Sequence, residues 1–205
     1  MEVPDSMGAT DKYPPIRPGG SLMLAWQIRG KPVLIIGGGN VASGRLTNIL
    51  EADAKVTLIA PRFHLHPEIL HRLSSLPPTQ LVYKDKHFEP SDLTDEYAMV
   101  LTAIDSPADS TQIWKLCKER RIPVNVADVP SECDFYFGSQ HRDGPLQIMI
   151  STNGSAPKLA NLLRVRVAES LPVNAGRGCL NVGKLRRKLR GIAPGSTEGP
   201  KRMKW

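Results

Sequence analysis

Apolar residues fall along this chain in short blocks separated by polar or glycine-rich breaks, and the blocks alternate between two periods. Pro32-Val33-Leu34-Ile35-Ile36 is a run of mostly branched apolar residues without polar alternation, the pattern of a strand buried on both faces. It stops at Gly37-Gly38-Gly39, and Val41, Leu46, Ile49 and Leu50 then recur at helical spacing. Lys55 to Ala60 reads as a second strand, which completes a βαβ unit with a right-handed crossover. The alternation continues with a helix over 66–76, a break at Pro77-Pro78 and a third strand over Gln80 to Lys84. Tyr97 to Ala103 is a stronger strand ending at Ile104-Asp105, and the spacing predicts a helix from Pro107 to Arg120, with proline at an early helical position. Ile122 to Ala127 is the next strand, with Asp128 at its carboxyl end. Alternating strands and helices predict an α/β fold with a Rossmann-like parallel sheet.

After Pro130 the alternation ends. Cys133 to Phe137 and Leu146 to Ile150 read as an antiparallel pair joined by a polar connection containing Asp143-Gly144-Pro145. A polar turn, Ser151 to Ser155, precedes a helix carrying Leu159, Leu162, Leu163, Val165 and Val167. Such a small α+β segment has no sizeable core of its own, so it is expected to be a dimerisation segment that forms a homodimer. From Pro172 onward, Val182, Leu185, Leu189 and Ile192 make one apolar stripe on a basic helix. The chain ends before supplying a cover for that stripe, so this part reads as a truncated helical C-terminal segment. Residues 1–20 are rich in proline and glycine without periodicity and read as a disordered leader. Ser21 to Trp26 is expected to pack its apolar residues under the first strand. The predicted divisions are therefore 1–20, 21–129, 130–171 and 172–205.

Composition narrows the class. Hydrophobic residues at 40% and charged residues at 23% exclude a disordered chain. No apolar run approaches the ~18–20 residues that span a bilayer, and Glu2 and Asp5 argue against a secretory signal. Three widely spaced cysteines, Cys117, Cys133 and Cys179, fit neither a disulfide framework nor a metal-ligand pattern; a reducing, cytoplasmic setting is expected. The net charge of +7 implies an acidic partner, although much of the excess lies in Lys184 to Lys188, Arg190 and Lys201 to Lys204. Aromatics at 5% and no recognition motif argue against nucleic acid, and no membrane partner is expected.

The strand–glycine–helix junction carries the clearest chemistry. Its pattern is G-x-G-x-x-A: Gly37 makes the tight turn, Gly39 lets backbone approach a pyrophosphate, and Ala42 permits close helix–strand packing. The N–H groups at the helix start then face the phosphates. An NAD site usually places Asp or Glu about 20 residues after the first glycine, but Ile59-Ala60-Pro61-Arg62 has no acid there. Arg62 reads either as a 2′-phosphate ligand favouring NADP or as a surface arginine, so the residues alone leave the cofactor open. There is no Cys-x-x-Cys, His-Glu-x-x-His or G-x-S-x-G motif. His64, His66, His71, His87 and His141 lack metal-ligand spacing and read as exposed histidines. Asp128, at the end of a sheet strand where ligands sit in open α/β folds, reads as a general base or as a turn aspartate.

Four stretches together resemble the siroheme synthase family, in particular its fungal bifunctional precorrin-2 dehydrogenase and sirohydrochlorin ferrochelatase form. They are Leu34 to Ala42, Val124-Asn125-Val126-Ala127-Asp128, Cys133 to Gly138, and Ile150 to Pro157. Gly183 to Arg187 through Pro194 looks like the start of the family's helical C-terminal domain. The resemblance covers residues 21–205 and implies NAD-dependent oxidation of precorrin-2 to sirohydrochlorin, then insertion of Fe²⁺, a substrate, to give siroheme. The macrocycle would supply the metal's nitrogen ligands, and its carboxylates would account for the basic charge. Asp128 matches the family's catalytic aspartate, the base for both steps. Gly37, Gly38, Gly39, Asn40, Val41 and Ala42 match the dinucleotide turn, and Pro61 and Arg62 match a second cofactor contact; the family uses NAD despite lacking the usual acid there, which tips the cofactor choice to NAD. Thr102, Ala103 and Asp105 would border the nicotinamide, and Asn125, Lys158 and Arg164 are candidates for meeting substrate. One departure is Ala156-Pro157, where the family often has Ser-Pro. A rival reading is a non-catalytic NAD-binding relative that lost turnover through truncation.

Overall fold

The computed structural model describes residues 15–195 and Gly199. The leader's residues 1–14 and the basic stub Lys201 to Lys204 lie outside the described residues. Five parallel strands form one sheet: β1 (Pro32–Ile36), β2 (Lys55–Ile59), β3 (Leu81–Lys84), β4 (Met99–Thr102) and β5 (Val124–Val126), in the order β3-β2-β1-β4-β5. β1 is central because it can be buried on both faces; Val33, Leu34 and Ile35 have no exposed surface.

Each face is covered by helices. On one, α1 (Asn40–Glu51) and α2 (Pro67–Ser75) bury Ala42, Leu46, Ile49 and Ile69 against Val33, Ile35 and Leu58. On the other, α3 (Pro107–Glu119) packs Ile113 and Cys117 on Leu34, Val100 and Val124. α3 starts at a serine cap, Ser106 accepting from Asp109 N at 3.4 Å, with Pro107 in its first turn. Glu68 at the start of α2 joins the two helices of its layer by accepting from Ser43 Oγ at 2.9 Å and Thr47 Oγ1 at 3.0 Å. These bonds, with Arg72, hold the Glu68 carboxyl below the usual carboxylate range.

Outside the five-stranded sheet the structure departs from the sequence expectation in three places. Cys133 to Phe137 is not a strand; the antiparallel pair is β6 (Ser139–Asp143) with β7 (Leu146–Ile150) around Gly144-Pro145. The 133–137 segment is instead tied to the sheet edge through side chains. Asp134 Oδ2 accepts from Val124 N at 3.0 Å, and Asn125 Nδ2 donates to the Phe135 carbonyl at 2.8 Å. β6 is polar throughout and carries no apolar alternation, so only its pairing marks it as a strand. Ser21 to Trp26 does not pack under β1: Leu22 is 82% and Leu24 69% exposed, and the burial falls on Ile28 instead. Trp26 lies edge-on to Phe135, with ring centroids 5.4 Å apart.

The helix predicted from Val182 begins earlier, as α5 (Ala175–Ile192). Its start seats on the hairpin, where Gly176 N donates to Asp143 Oδ2 at 2.7 Å. A Cβ at Gly176 would fall 2.0 Å from the Asp143 carbonyl oxygen, so only glycine permits the approach. The preceding helix, α4 (Pro157–Ser170), lies on the hairpin and buries only Ala160, while Leu159, Leu162 and Leu163 stay exposed. No helix among the described residues is long and apolar enough to cross a membrane.

Candidate active site

Two clefts open at the carboxyl edge of the sheet. The first, of about 450 Å³, is built around Gly37-Gly38-Gly39. Gly37 has φ +116°, donates its N–H to the Ile59 carbonyl at 3.0 Å, and would set a Cβ 2.0 Å from the Ala103 carbonyl oxygen. Neither the dihedral nor the space admits a side chain. At Gly38 a Cβ would meet Leu65 Cδ2 at 2.7 Å, and its carbonyl accepts from His66 N at 2.7 Å. Gly39 is the cap of α1 and differs from both: a Cβ there would meet nothing within 4 Å, because the position faces open space. The first turn of α1 has no side-chain cap and no acidic residue. Its N–H groups and positive dipole end are therefore available to a phosphate. An open glycine at an uncapped helix start fits a dinucleotide pyrophosphate.

Pro61, Ala103 and Asp105 line the same crevice, as the sequence pattern anticipates. Asn40 and Val41 are exposed at the helix start, and Ala42 is buried beneath it. Arg62 is not brought to the crevice; its side chain is exposed and its backbone N–H donates to Asp85 Oδ1 at 2.8 Å. Thr102 sits behind the wall, 2% exposed, its hydroxyl without a hydrogen-bond partner among the described residues. His64 and His87 are exposed, as the sequence reading expects, but they also line this crevice, together with Lys86 and Phe88, which sequence reasoning passed over. The available signal was position, since all four follow β2 or β3 at the ligand-bearing ends of parallel strands. Lys86 is held by Asp92 at 2.9 Å and Glu89 at 3.1 Å. Burial works to raise the Asp92 pKa, but Lys86, Lys84 and the Glu89 N–H outweigh it and hold the carboxyl low.

The second cleft, of about 400 Å³, contains Asp128. Ala127 N donates to the Thr102 carbonyl at 2.9 Å, which carries β5's path alongside β4 up to this point. Asp128 then takes φ +61°, the left-handed conformation that aspartate tolerates better than most residues, and is exposed in the cleft. The clefts adjoin across neighbouring strands: Ala103 follows β4 into one, and Ala127 follows β5 into the other. Asn125 lines the second cleft but is 4% exposed, with its amide nitrogen committed to Phe135. The Cys133 thiol is packed among backbone groups, accepting from Val126 N at 3.3 Å, and burial pushes its pKa up.

Arg45 of α1 and Phe137 form another wall, and Ser151, Thr152 and Pro157 face them. Arg45 went unnoticed in the sequence because only the folded chain brings Phe137 beside it. Lys158 is exposed on α4, and Arg164 forks onto Asn161 Oδ1 at 3.1 and 2.9 Å; neither reaches the cleft. Among the described residues, no group of three or more histidine, cysteine or acidic side chains is placed to hold a metal ion.

A putative NAD(P)-binding family model matches residues 24–139, and models for the central and C-terminal parts of sirohaem biosynthesis proteins match 143–170 and 172–205. A siroheme biosynthesis protein of Schizosaccharomyces pombe is 50% identical over 194 residues, covering 95% of this chain and 72% of that protein. The chain belongs to the siroheme biosynthesis family. A Saccharomyces cerevisiae siroheme biosynthesis protein is 33% identical over 223 residues, covering 90% of this chain and 80% of its own length. The family also reaches bacterial siroheme synthases such as that of Methylobacillus flagellatus, 33% identical, of which this chain spans only 32%. The fold is shared with SirC, a precorrin-2 dehydrogenase, with a TM-score of 0.68 at 21% identity over 88% of this chain and 86% of that one. Family membership, the Rossmann-like sheet and the NAD(P)-binding region thus agree with the sequence reading.

Proposed function

We propose that this chain oxidises precorrin-2 to sirohydrochlorin with NAD⁺ as hydride acceptor. The observation that carries the reading is the adjacency of the two clefts: a dinucleotide turn beside an exposed carboxylate at the carboxyl ends of β4 and β5. NAD⁺, when bound, supplies the hydride acceptor. The chain's own contribution is positional and acid–base. Gly37 to Gly39 and the start of α1 bind phosphates, and Ala103 and Asp105 border the crevice where the chain leaves β4, the strand next to β5. The Asp128 carboxylate takes up the proton that the macrocycle loses alongside its hydride. NAD is favoured over NADP because, among the described residues, the lysine lining the crevice, Lys86, is paired with Glu89 and Asp92, and Arg62 lies outside it.

The same carboxylate is suited to a second reaction. Insertion of Fe²⁺ into sirohydrochlorin releases two pyrrole protons, and the four nitrogens of the macrocycle coordinate the metal, so a protein metal site is not required. We assign this ferrochelatase step to the Asp128 cleft as well. The exposed leucines of α4 support pairing with a second copy of the chain, with 130–171 as the pairing segment and 21–129 as the cofactor domain.

The test is direct. Precorrin-2 and NAD⁺ added to the protein should give NADH absorbance and the sirohydrochlorin spectrum. Fe²⁺ added afterwards should give siroheme. An unchanged spectrum with cofactor demonstrably bound would sink the dehydrogenase assignment, and loss of the second step alone would sink only the chelatase.

A further inference from the structure

The Asp128 cleft holds one charged side chain to which the reaction above gives no task. Arg45 lies on the second turn of α1, half-buried, with its guanidinium carbon 3.9 Å from the centroid of the Phe137 ring. That cation–π contact holds the guanidinium over the ring face. Burial lowers its pKa from the ordinary guanidinium value, while the nearby Cys133 and Asp128 act in the opposite sense; an arginine nonetheless stays protonated.

Among the described residues, Arg45 makes no hydrogen bond and no ion pair. Other arginines differ. Arg29 pairs with Asp53 at 2.7 Å, Arg72 with Glu68 at 3.2 Å, and Arg142 donates to the Glu51 carbonyl at 2.9 Å. Asp128 influences Arg45 electrostatically but is not in contact with it, so the guanidinium is left with its fork of donors unused. Among the described residues, Arg45 is also the one lysine or arginine lining the cleft. A partly desolvated, unpaired cation is unfavourable until an anion joins it, and the rigid donor fork matches a carboxylate.

We propose that Arg45 anchors one side-chain carboxylate of the tetrapyrrole, gripping it in the cleft it shares with Asp128. This rests on the dehydrogenase reading and deepens it. Arg45 thereby becomes a substrate-positioning residue, and Phe137 is its support. The cofactor is not its partner, because Arg45 does not line the nucleotide crevice. Nor do Lys158 and Arg164, the basic residues that sequence pattern nominated, reach the cleft.

The experiment titrates the 205-residue chain with sirohydrochlorin and, separately, with NAD⁺, and compares wild type with Arg45→Gln, Arg45→Lys and Phe137→Leu. Arg45→Gln should weaken sirohydrochlorin binding about 10- to 100-fold, the range for a lost charge-assisted pair, and leave NAD⁺ binding intact. In turnover, the KM for precorrin-2 should rise by more than kcat falls. Arg45→Lys keeps the charge without the fork and should fall between the two. Phe137→Leu should weaken binding less than Arg45→Gln does. Sirohydrochlorin binding by Arg45→Gln within about twofold of wild type, or an equal loss of NAD⁺ affinity, would overturn the proposal. Wild-type protein that neither binds sirohydrochlorin nor oxidises precorrin-2 would instead remove the dehydrogenase reading on which it stands.

Discussion

The nucleotide crevice is made chiefly of backbone, whereas the cleft beside it is made of side chains. At the first, Gly37 and Gly38 are shaped by the atoms they lack, and the binding groups are helix N–H donors. At the second, a carboxylate, a guanidinium and an aromatic ring from three separate segments converge. Added atoms should therefore destroy the crevice, and removed atoms should destroy the cleft. One cleft could then be lost while its neighbour survives.

The largest expected effect breaks the cleft alone. Asp128→Asn keeps the size of the side chain and tolerates the left-handed backbone. It should lower kcat by about 10²–10⁴, the usual value of a positioned base. NAD⁺ affinity, measured by calorimetry, should not change. If both fell together, the two sites would not be separable.

Gly37→Ala is the converse. A Cβ 2.0 Å from the Ala103 carbonyl oxygen, on a residue with φ +116°, forces the turn apart. Stability in denaturant should drop by about 2 kcal/mol or more, and NAD⁺ binding should be lost with it. Gly39→Ala sharpens the contrast, since a Cβ there would meet nothing within 4 Å beyond its own chain neighbours. Its unfolding midpoint should stay near wild type, but NAD⁺ should bind on the order of tenfold more weakly, about 1.4 kcal/mol. Equal NAD⁺ affinity in that variant would mean the pyrophosphate does not approach this glycine.

Two cysteines outside both clefts probe the packing of the sheet beneath them without mutation. Cys117, under the sheet, is fully buried and its pKa is pushed up to about 12 by burial. It should react with a thiol reagent only on unfolding, while exposed Cys179 on α5 reacts at once. Timed mass spectrometry would rank them, and early labelling of Cys117 would contradict the packing.

The smallest effect concerns acid. Asp92, on the loop behind the crevice, has a folded-state pKa held below its unfolded value of about 4. Its contribution is complete above that pH and is lost as pH falls further, through the folded value. Asp92→Asn should therefore flatten the acid limb of a stability–pH curve; an unaltered limb would show that other carboxylates, Glu68 among them, dominate it.

How far the chain could be read in advance follows the same division. β1, the glycine turn and α1 were legible because apolar period and glycine chemistry are local signals. β6 was not: Ser139 to Asp143 has no apolar pattern, and hydrogen bonds to β7 make it a strand. The apolar residues of 21–26 misled, because hydrophobicity alone does not say whether a partner surface exists. Among candidate site residues, Gly37 to Gly39, Pro61, Ala103, Asp105, Asn125 and Asp128 line the clefts, whereas Asn40, Val41, Ala42, Arg62, Thr102, Lys158 and Arg164 do not.

The sequence by itself determined the parallel sheet, the dinucleotide turn and the resemblance that pointed to siroheme chemistry, because each is written in residues adjacent along the chain. Only the tertiary structure decided that the nucleotide crevice and the Asp128 cleft adjoin, and that Arg45 rests on Phe137 with its donors free. The reason is distance: the contact joins residues far apart in the chain. Helical period places Arg45 on a face of α1 but cannot say what packs against that face.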